Sequence, residues 1–176
     1  MTIREMTDAD RAGVMAIDTS FETSSVYDVV TTPRSFELVE RTLATPLVKR
    51  YPIEDAFAHW AQWDTAWVAL DGTTIVGFAS VEYVAWHARL VLWHFYVSPP
   101  YRRAGTGRAL LAKVEDHGRS LGALRVWLET SNVNVPGVRA YNRLGYSLCG
   151  ADTRYYGAYM PGETALYLAK PIMLGA

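Results

Sequence analysis

The sequence predicts a single α/β domain, with a mixed but mostly antiparallel sheet flanked by helices. Three observations predict it. Apolar runs of strand length at 65–70, 74–84 and 89–97 follow one another closely, and the first two are joined by Asp71-Gly72, a tight-turn signal. A basic, glycine-containing loop then opens an amphipathic stretch at 105–121, with Leu110, Leu111, Val114 and Leu121 on one helical face. After Gly122 come a strand at 125–130, a short helix at 135–143 ended by Gly145, and two more strands at 146–150 and 164–169. Three antiparallel strands, a crossover helix, a parallel strand, a second helix and a final strand pair describe a mixed sheet.

The elements before residue 65 are less regular. A short strand at 2–5 precedes Thr7-Asp8-Ala9-Asp10, a helix start with an N-cap and acidic first-turn residues, and the helix carries Val14, Met15 and Ile17. Residues 18–64 have the weakest pattern, with a strand expected at 35–41 and an amphipathic stretch at 53–63. No internal repeat or low-complexity segment occurs.

Composition narrows the function classes. The 176 residues suit one domain spanning 1–176, and 50% of them are apolar, enough for a substantial core. The net charge of −1 is spread without a basic block or acidic tail, so neither nucleic acid nor an anionic membrane is an expected partner. Cys149 is the one cysteine, which excludes an intrachain disulfide. His59, His87, His94 and His117 are scattered, so no metal is expected. The opening Met1-Thr2-Ile3-Arg4-Glu5 does not read as a signal peptide and no run approaches a membrane span, so a cytoplasmic protein is expected.

The stretch Phe95-Tyr96-Val97-Ser98-Pro99-Pro100-Tyr101-Arg102-Arg103-Ala104-Gly105-Thr106-Gly107-Arg108 carries most of the functional information. It is a strand, a proline-stiffened turn, a basic loop of small residues and a helix start. Free N–H groups at that start point toward an anion, small residues allow close approach, and Arg102 and Arg103 add charge. No Gly-Lys-Ser/Thr follows, so it is not a P-loop, and the third glycine of a dinucleotide fingerprint is missing. Phosphate binding at the end of a strand is the expectation.

The pattern resembles the acetyl-CoA loop of the GNAT acetyltransferase superfamily, Arg/Gln-x-x-Gly-x-Gly/Ala, which falls here on Arg102, Gly105 and Gly107. The later run Glu129-Thr130-Ser131-Asn132-Val133-Asn134, with Tyr141, Gly145 and Tyr146, resembles the second GNAT signature; Gly137 departs from it, alanine being commoner there. The resemblance extends to streptothricin N-acetyltransferases through Asp18-Thr19-Ser20-Phe21-Glu22-Thr23, Val26-Tyr27, Ala85-Trp86, Leu148-Cys149-Gly150-Ala151-Asp152-Thr153, Tyr156 and Gly162-Glu163-Thr164. Where that family carries carboxylates in the strand before the loop, this chain has Trp93, His94 and Tyr96. The resemblance implies acetyl-CoA as cosubstrate, a splayed strand pair at its cleft, and acetylation of an amine.

An alkyl amine with a pKa of about 10.4 is almost wholly protonated at neutral pH, and freeing the base costs on the order of 4–5 kcal/mol at pH 7. A base, an oxyanion donor and an acid for the departing thiolate are therefore wanted. Glu129 is the first candidate base, by its resemblance to the glutamate of ribosomal-protein N-terminal acetyltransferases; a salt-bridged strand-end carboxylate is the competing account. His94 is second, imidazole titrating near working pH, against a satisfied core histidine. Strand alternation puts His94 with Leu92 and Tyr96, opposite Trp93 and Phe95, unless a bulge shifts the parity. Glu82 is third, or binds a cationic acceptor.

The resemblance assigns the acid to Tyr141, and Asn134 to the pantetheine arm, to capping the short helix, or to both. It extends cofactor binding over Arg102, Arg103, Ala104, Gly105, Thr106, Gly107 and Arg108, with the backbone of Phe95, Tyr96 and Val97 pairing with pantetheine. Asp18, Glu22, Glu82, Trp86 and Trp93 are candidate acceptor-binding residues, Asp28 another acidic one, and Trp67 and Trp127 read as core. Cys149 has no basic neighbour in sequence, which disfavours an acyl-cysteine route. The expected activity is acetyl transfer to a primary amine of a small cationic, streptothricin-like molecule by direct attack in a ternary complex. The alternatives are a protein N-terminal acetyltransferase of ribosomal-protein type and a non-catalytic acetyl-CoA-binding module. A homodimer is left open.

Overall fold

The computed structural model describes residues 1–173. Chain order is β1 (Thr2–Glu5), α1 (Arg11–Met15), β2 (Ser20–Thr31), β3 (Phe36–Arg50), β4 (Thr65–Asp71), β5 (Thr74–Val84), β6 (Arg89–Val97), α2 (Thr106–Ser120), β7 (Arg125–Ser131), α3 (Val135–Arg143), β8 (Ser147–Asp152) and β9 (Ala165–Pro171). Two compact units emerge. The first holds Met1–Ser20, Arg50–Trp127 and the chain from Pro171; the second holds Phe21–Lys49 and Leu128–Lys170.

In the first unit the strand order is β1-β4-β5-β6, all antiparallel. The expected hairpin forms in register, Asp71 opposite Thr74. One face of this sheet packs Phe78, Ala66 and Val68 with Val14, Ile17, Ile53 and Ala56 into a buried cluster. The other face receives α2, and the reason is steric. A Cβ on Gly77 would lie 2.9 Å from Leu110, and one on Gly107 would lie 3.1 Å from the Phe95 ring. Gly107 is thus small because the helix seats on β6. Ahead of α1, Arg4 grips Asp10 through two hydrogen bonds of 2.6 and 2.7 Å, and the Thr7 N–H adds a third at 2.8 Å. These donors hold the Asp10 carboxyl well below the usual range, the Arg4 hydrogen bond first among them.

The expected amphipathic stretch at 53–63 forms only a short 3-10 turn, Ile53–Phe57, whose Ile53 and Ala56 are buried. Trp63 donates its indole N–H to the Ala56 carbonyl at 2.6 Å and closes the segment without further helix. In β6 the register slips: Ser80 faces His94 but Val81 faces Leu92, which leaves Trp93 as the extra residue. Strict alternation therefore fails here. His94 and Tyr96 share the Phe78 face, and Leu92 lies on the opposite one.

The second unit contains a two-stranded ribbon of β2 and β3, where the sequence pattern was weakest and only 35–41 was expected as strand. Thr32 ties the ribbon's turn, its N–H bonding Ser35 O at 2.8 Å and its hydroxyl accepting from the Ser35 N–H at 3.0 Å. Much of β3 is exposed, so its sequence shows no alternation of buried and exposed residues. Also in this unit, β9 lies between β7 and β8. Strands β8 and β9 are antiparallel with a bulge at Cys149, whose thiol is exposed. Among the described residues, no helix is long and apolar enough to cross a membrane.

Candidate active site

In the first unit the loop before α2 has the conformation an anion site needs. Arg103 and Gly105 are both left-handed, at φ +62° and +91°. Such turns swing successive N–H groups to one side and form a concavity for negative charge. A Cβ on Gly105 would meet nothing within 4 Å, so the glycine is there for its backbone angle and the space beside it is open. The first bond of the helix is Ala109 N–H to Gly105 O, at 3.0 Å, so the N–H groups of Thr106, Gly107 and Arg108 lie ahead of the helical ladder. With the dipole of a 15-residue helix behind them, they face an anion well.

Arg102 is anchored through one nitrogen of its guanidinium. Its Nε donates to Val97 O at 2.8 Å, it is half-buried, and burial lowers its pKa against the nearby Asp18 charge. It braces the strand-to-loop corner. Arg103, Ala104 and Arg108 are exposed around it. Phe95 points to α2, and Val97 pairs with Gly77 at the end of β6.

His94 is buried, and its ring stacks on Phe78 at 6.5 Å, with Tyr96 Oη 3.4 Å from Nδ1. Burial pushes its pKa down to about 4, so the imidazole is neutral at working pH and a weak proton acceptor. Among the described residues neither His94 Nε2 nor the cross-strand Ser80 Oγ has a hydrogen-bond partner. Glu82 accepts from the Trp93 indole at 2.9 Å, so the bulge aims that tryptophan at a carboxylate. Trp86 is 84% exposed and lies against His87. Asp18 accepts from the Ser20 N–H at 2.8 Å; the Ser20 hydrogen bonds lower its pKa, with Arg102 and Arg50 adding to the effect. Trp67 is core, edge-on to His117, while Trp127 is half-buried beneath the Arg89 guanidinium.

The second unit gathers the other candidates. Asn134 caps α3: its Oδ1 accepts from Gly137 N–H at 3.0 Å, and its Nδ2 donates to Thr130 Oγ1 at 3.0 Å. A Cβ at 137 would sit 2.3 Å from Asn134 Nδ2, which explains the glycine at that position. Tyr141 packs edge-on against the buried Tyr146, ring centroids 5.7 Å apart, and so has a braced ring. Glu22 is exposed on β2, and Asp28 pairs with Arg41 at 2.6 Å.

Glu129 sits on β7 in a cluster that the sequence did not reveal. Tyr156 donates to Oε1. Burial pushes the Glu129 carboxyl above its ordinary value; Tyr156 and the Lys49 charge oppose that rise, and Glu163 adds to it. Glu163 is itself engaged, accepting from Lys49 Nζ at 2.6 Å and from Ser131 Oγ. Lys49 and Glu163 are 114 residues apart, and no local pattern links them. The competing account of Glu129 as a salt-bridged strand end is not what is observed, since its direct donor is a neutral phenol.

The model of the acetyltransferase (GNAT) family matches residues 36–146. The chain belongs to this family. The GNAT chain is 38% identical over 171 residues to streptothricin acetyltransferase of Streptomyces lavendulae, an alignment covering 92% of this chain and 90% of that one. It is similar in structure to nourseothricin acetyltransferase, with a TM-score of 0.88, 35% identity and 98% of each chain covered. A putative streptothricin acetyltransferase from Bacillus anthracis, in complex with acetyl coenzyme A, shares the fold with a TM-score of 0.82, 23% identity and 98% of each chain covered. The protein is thus an acyltransferase with the mixed, mostly antiparallel GNAT fold.

Proposed function

We propose that this GNAT acyltransferase moves an acetyl group from acetyl-CoA to an amine of a small cationic acceptor of streptothricin type, in a ternary complex. The observation that carries the acceptor class is full-length similarity, 38% identity across 92% of the chain, to an enzyme named for streptothricin. Fit to acetyl-CoA is supported by the left-handed loop with open space at Gly105 and the leading N–H groups of α2.

In the proposed assignment, the backbone N–H groups of Thr106, Gly107 and Arg108, with Arg102, Arg103, Arg108 and Ala104 around them, hold the pyrophosphate, and the Arg102 Nε bond to Val97 O shapes the loop. Backbone at Phe95, Tyr96 and Val97, at the end of β6, holds the pantetheine amides and supplies the oxyanion donor. Asn134 orders the start of α3, and the second N–H of its Nδ2, the first being donated to Thr130, reaches the pantetheine arm. Glu129 takes a proton from the acceptor ammonium. The freed amine nitrogen bonds to the thioester carbonyl carbon, the C–S bond breaks as Tyr141 gives its proton to the departing sulfur, and the proton the nitrogen then sheds restores the Tyr141 phenol. Glu129 is favoured over His94 because burial raises the Glu129 carboxyl and strengthens it as a proton acceptor, whereas burial lowers the His94 imidazole and weakens it. Glu82, Trp93, Trp86, Asp18 and Glu22 remain the acceptor-binding candidates.

Release of free thiol from acetyl-CoA, measured across streptothricin, aminoglycosides, polyamines and ribosomal-protein N-terminal peptides, tests the assignment. Turnover with streptothricin is the expected result. Turnover with peptides alone selects a protein N-terminal acetyltransferase, and binding of acetyl-CoA without turnover on any amine selects a non-catalytic module.

A further inference from the structure

The segment between β8 and β9, residues 153–164, carries two features that the acetyl-transfer assignment leaves without a role. One is Tyr156, half-buried, whose phenol donates to Glu129 on β7 across 27 residues of sequence. The other is Glu163, held by Lys49 and Ser131. Their environments separate two neighbouring carboxylates. Glu163 is matched by a lysine, so its charge is neutralised on the spot. Glu129 has no cation hydrogen-bonded to it among the described contacts; it has a phenol, and its charge also acts on the Tyr155 and Tyr167 phenols. Tyr155 stands edge-on to both Tyr156 and Tyr167, at 5.3 and 6.2 Å, so Tyr156 is braced by packing.

We propose that Tyr156 is a positioning residue for the proton-accepting carboxylate: its phenol fixes the rotamer of Glu129 and leaves the second carboxylate oxygen to take the proton from the acceptor amine. This rests on the assignment of Glu129 as base. The groups facing Glu129 within this unit are Lys49 from β3, Tyr155, Tyr156 and Glu163 from the 153–164 segment, and Tyr167 from β9; Asp152 at the end of β8 acts on Tyr155 and Tyr167. Tyr156 is the one of them that touches the carboxylate through a described hydrogen bond. It keeps its own proton throughout. Glu129 goes from carboxylate to carboxylic acid as the ammonium becomes an amine.

A phenol donating to a carboxylate favours the ionised form, so its removal raises the pH at which Glu129 ionises. In Tyr156→Phe, which keeps the ring and its packing, the acid limb of the kcat/KM profile with streptothricin moves up by roughly 0.5–1 pH unit. Below the limb kcat/KM falls about three- to tenfold, with the two curves meeting at high pH and the acetyl-CoA KM unchanged. Replacing Tyr156 by a difluorotyrosine, a stronger donor, moves the limb the other way. Carbon-13 NMR titration of the Glu129 carboxyl moves in step in both variants. Glu129→Gln loses the limb, and adding Tyr156→Phe to it changes nothing further. An unmoved NMR titration in Tyr156→Phe overturns the proposal. So does an unmoved limb in Tyr156→Phe when Glu129→Gln has lost it, and then the base assignment stands. A limb that survives in Glu129→Gln overturns the base assignment and the positioning role with it.

Discussion

Tyr141 and Asn134 show how one short segment divides its work. Asn134 uses both ends of its amide inside the protein, capping α3 and holding Thr130, so its first contribution is to fix where the helix begins. Tyr141 lies on that helix with its ring set by Tyr146. A phenol that protonates a leaving thiolate acts mainly in the transition state. Tyr141→Phe is therefore expected to lower kcat on the order of a hundredfold while the acetyl-CoA KM changes little. Steady-state kinetics under conditions where chemistry limits turnover checks this, and an unchanged kcat there removes Tyr141 from the mechanism.

At the scale of elements, the loop and α2 form one device with two distinct glycine requirements. Gly107 is small so that the helix can seat on Phe95, a packing demand. Gly105 turns the chain at φ +91° and leaves open space where an anion would approach the helix start. Gly105→Glu puts bulk and negative charge into that space and strains the turn, so it is expected to abolish acetyl-CoA binding measured by calorimetry. Gly105→Ala carries the strain, about 1 kcal/mol, without the charge, and should retain measurable binding. Normal affinity in a folded Gly105→Glu protein would place the cosubstrate elsewhere.

For the whole molecule, the buried titratable groups set the pH range of stability. His94 is held at about 4 in the folded state, while an unfolded histidine titrates near about 6.5. Between those values the unfolded chain binds a proton that the folded one refuses, so stability falls as pH drops through the window. Asp10 extends the loss further down: its carboxyl is depressed by Arg4, so its contribution is present above about 3.9 and disappears as pH falls below that. Glu129 has the opposite sign. Its raised carboxyl gives a contribution present below the ordinary carboxylate value and lost as pH rises through its folded value. The melting temperature is expected to drop by roughly 3–8 °C from pH 7 to 4.5, and His94→Gln should flatten most of that slope in a calorimetric series. Equal slopes in the two proteins would show that His94 is not buried neutral.

By itself the sequence determined the elements from residue 65 onward, the basic glycine loop and the second signature, because each is a local pattern. The turn at Asp71-Gly72, the helical stripe of α2 and the limits of α3 follow from neighbours within a few residues of one another. It also named Glu129, Asn134 and Tyr141 by resemblance. Tertiary structure alone decided the rest. Of the long β2–β3 ribbon only 35–41 was legible, because β3 is largely exposed and no buried face imposes alternation on it, while two of the alternating buried positions of β2, Thr23 and Ser25, are polar. Trp93 moved Leu92 to the other face of β6, since one bulged residue inverts the parity of everything beyond it. Arg102 gained the Val97 carbonyl as a partner for its Nε, and Glu129 acquired Tyr156 as its donor with Lys49 and Glu163 nearby. Those partners are brought together by the folded backbone across separations as long as 114 residues, and hydrogen bonds at that range leave no periodicity in a sequence.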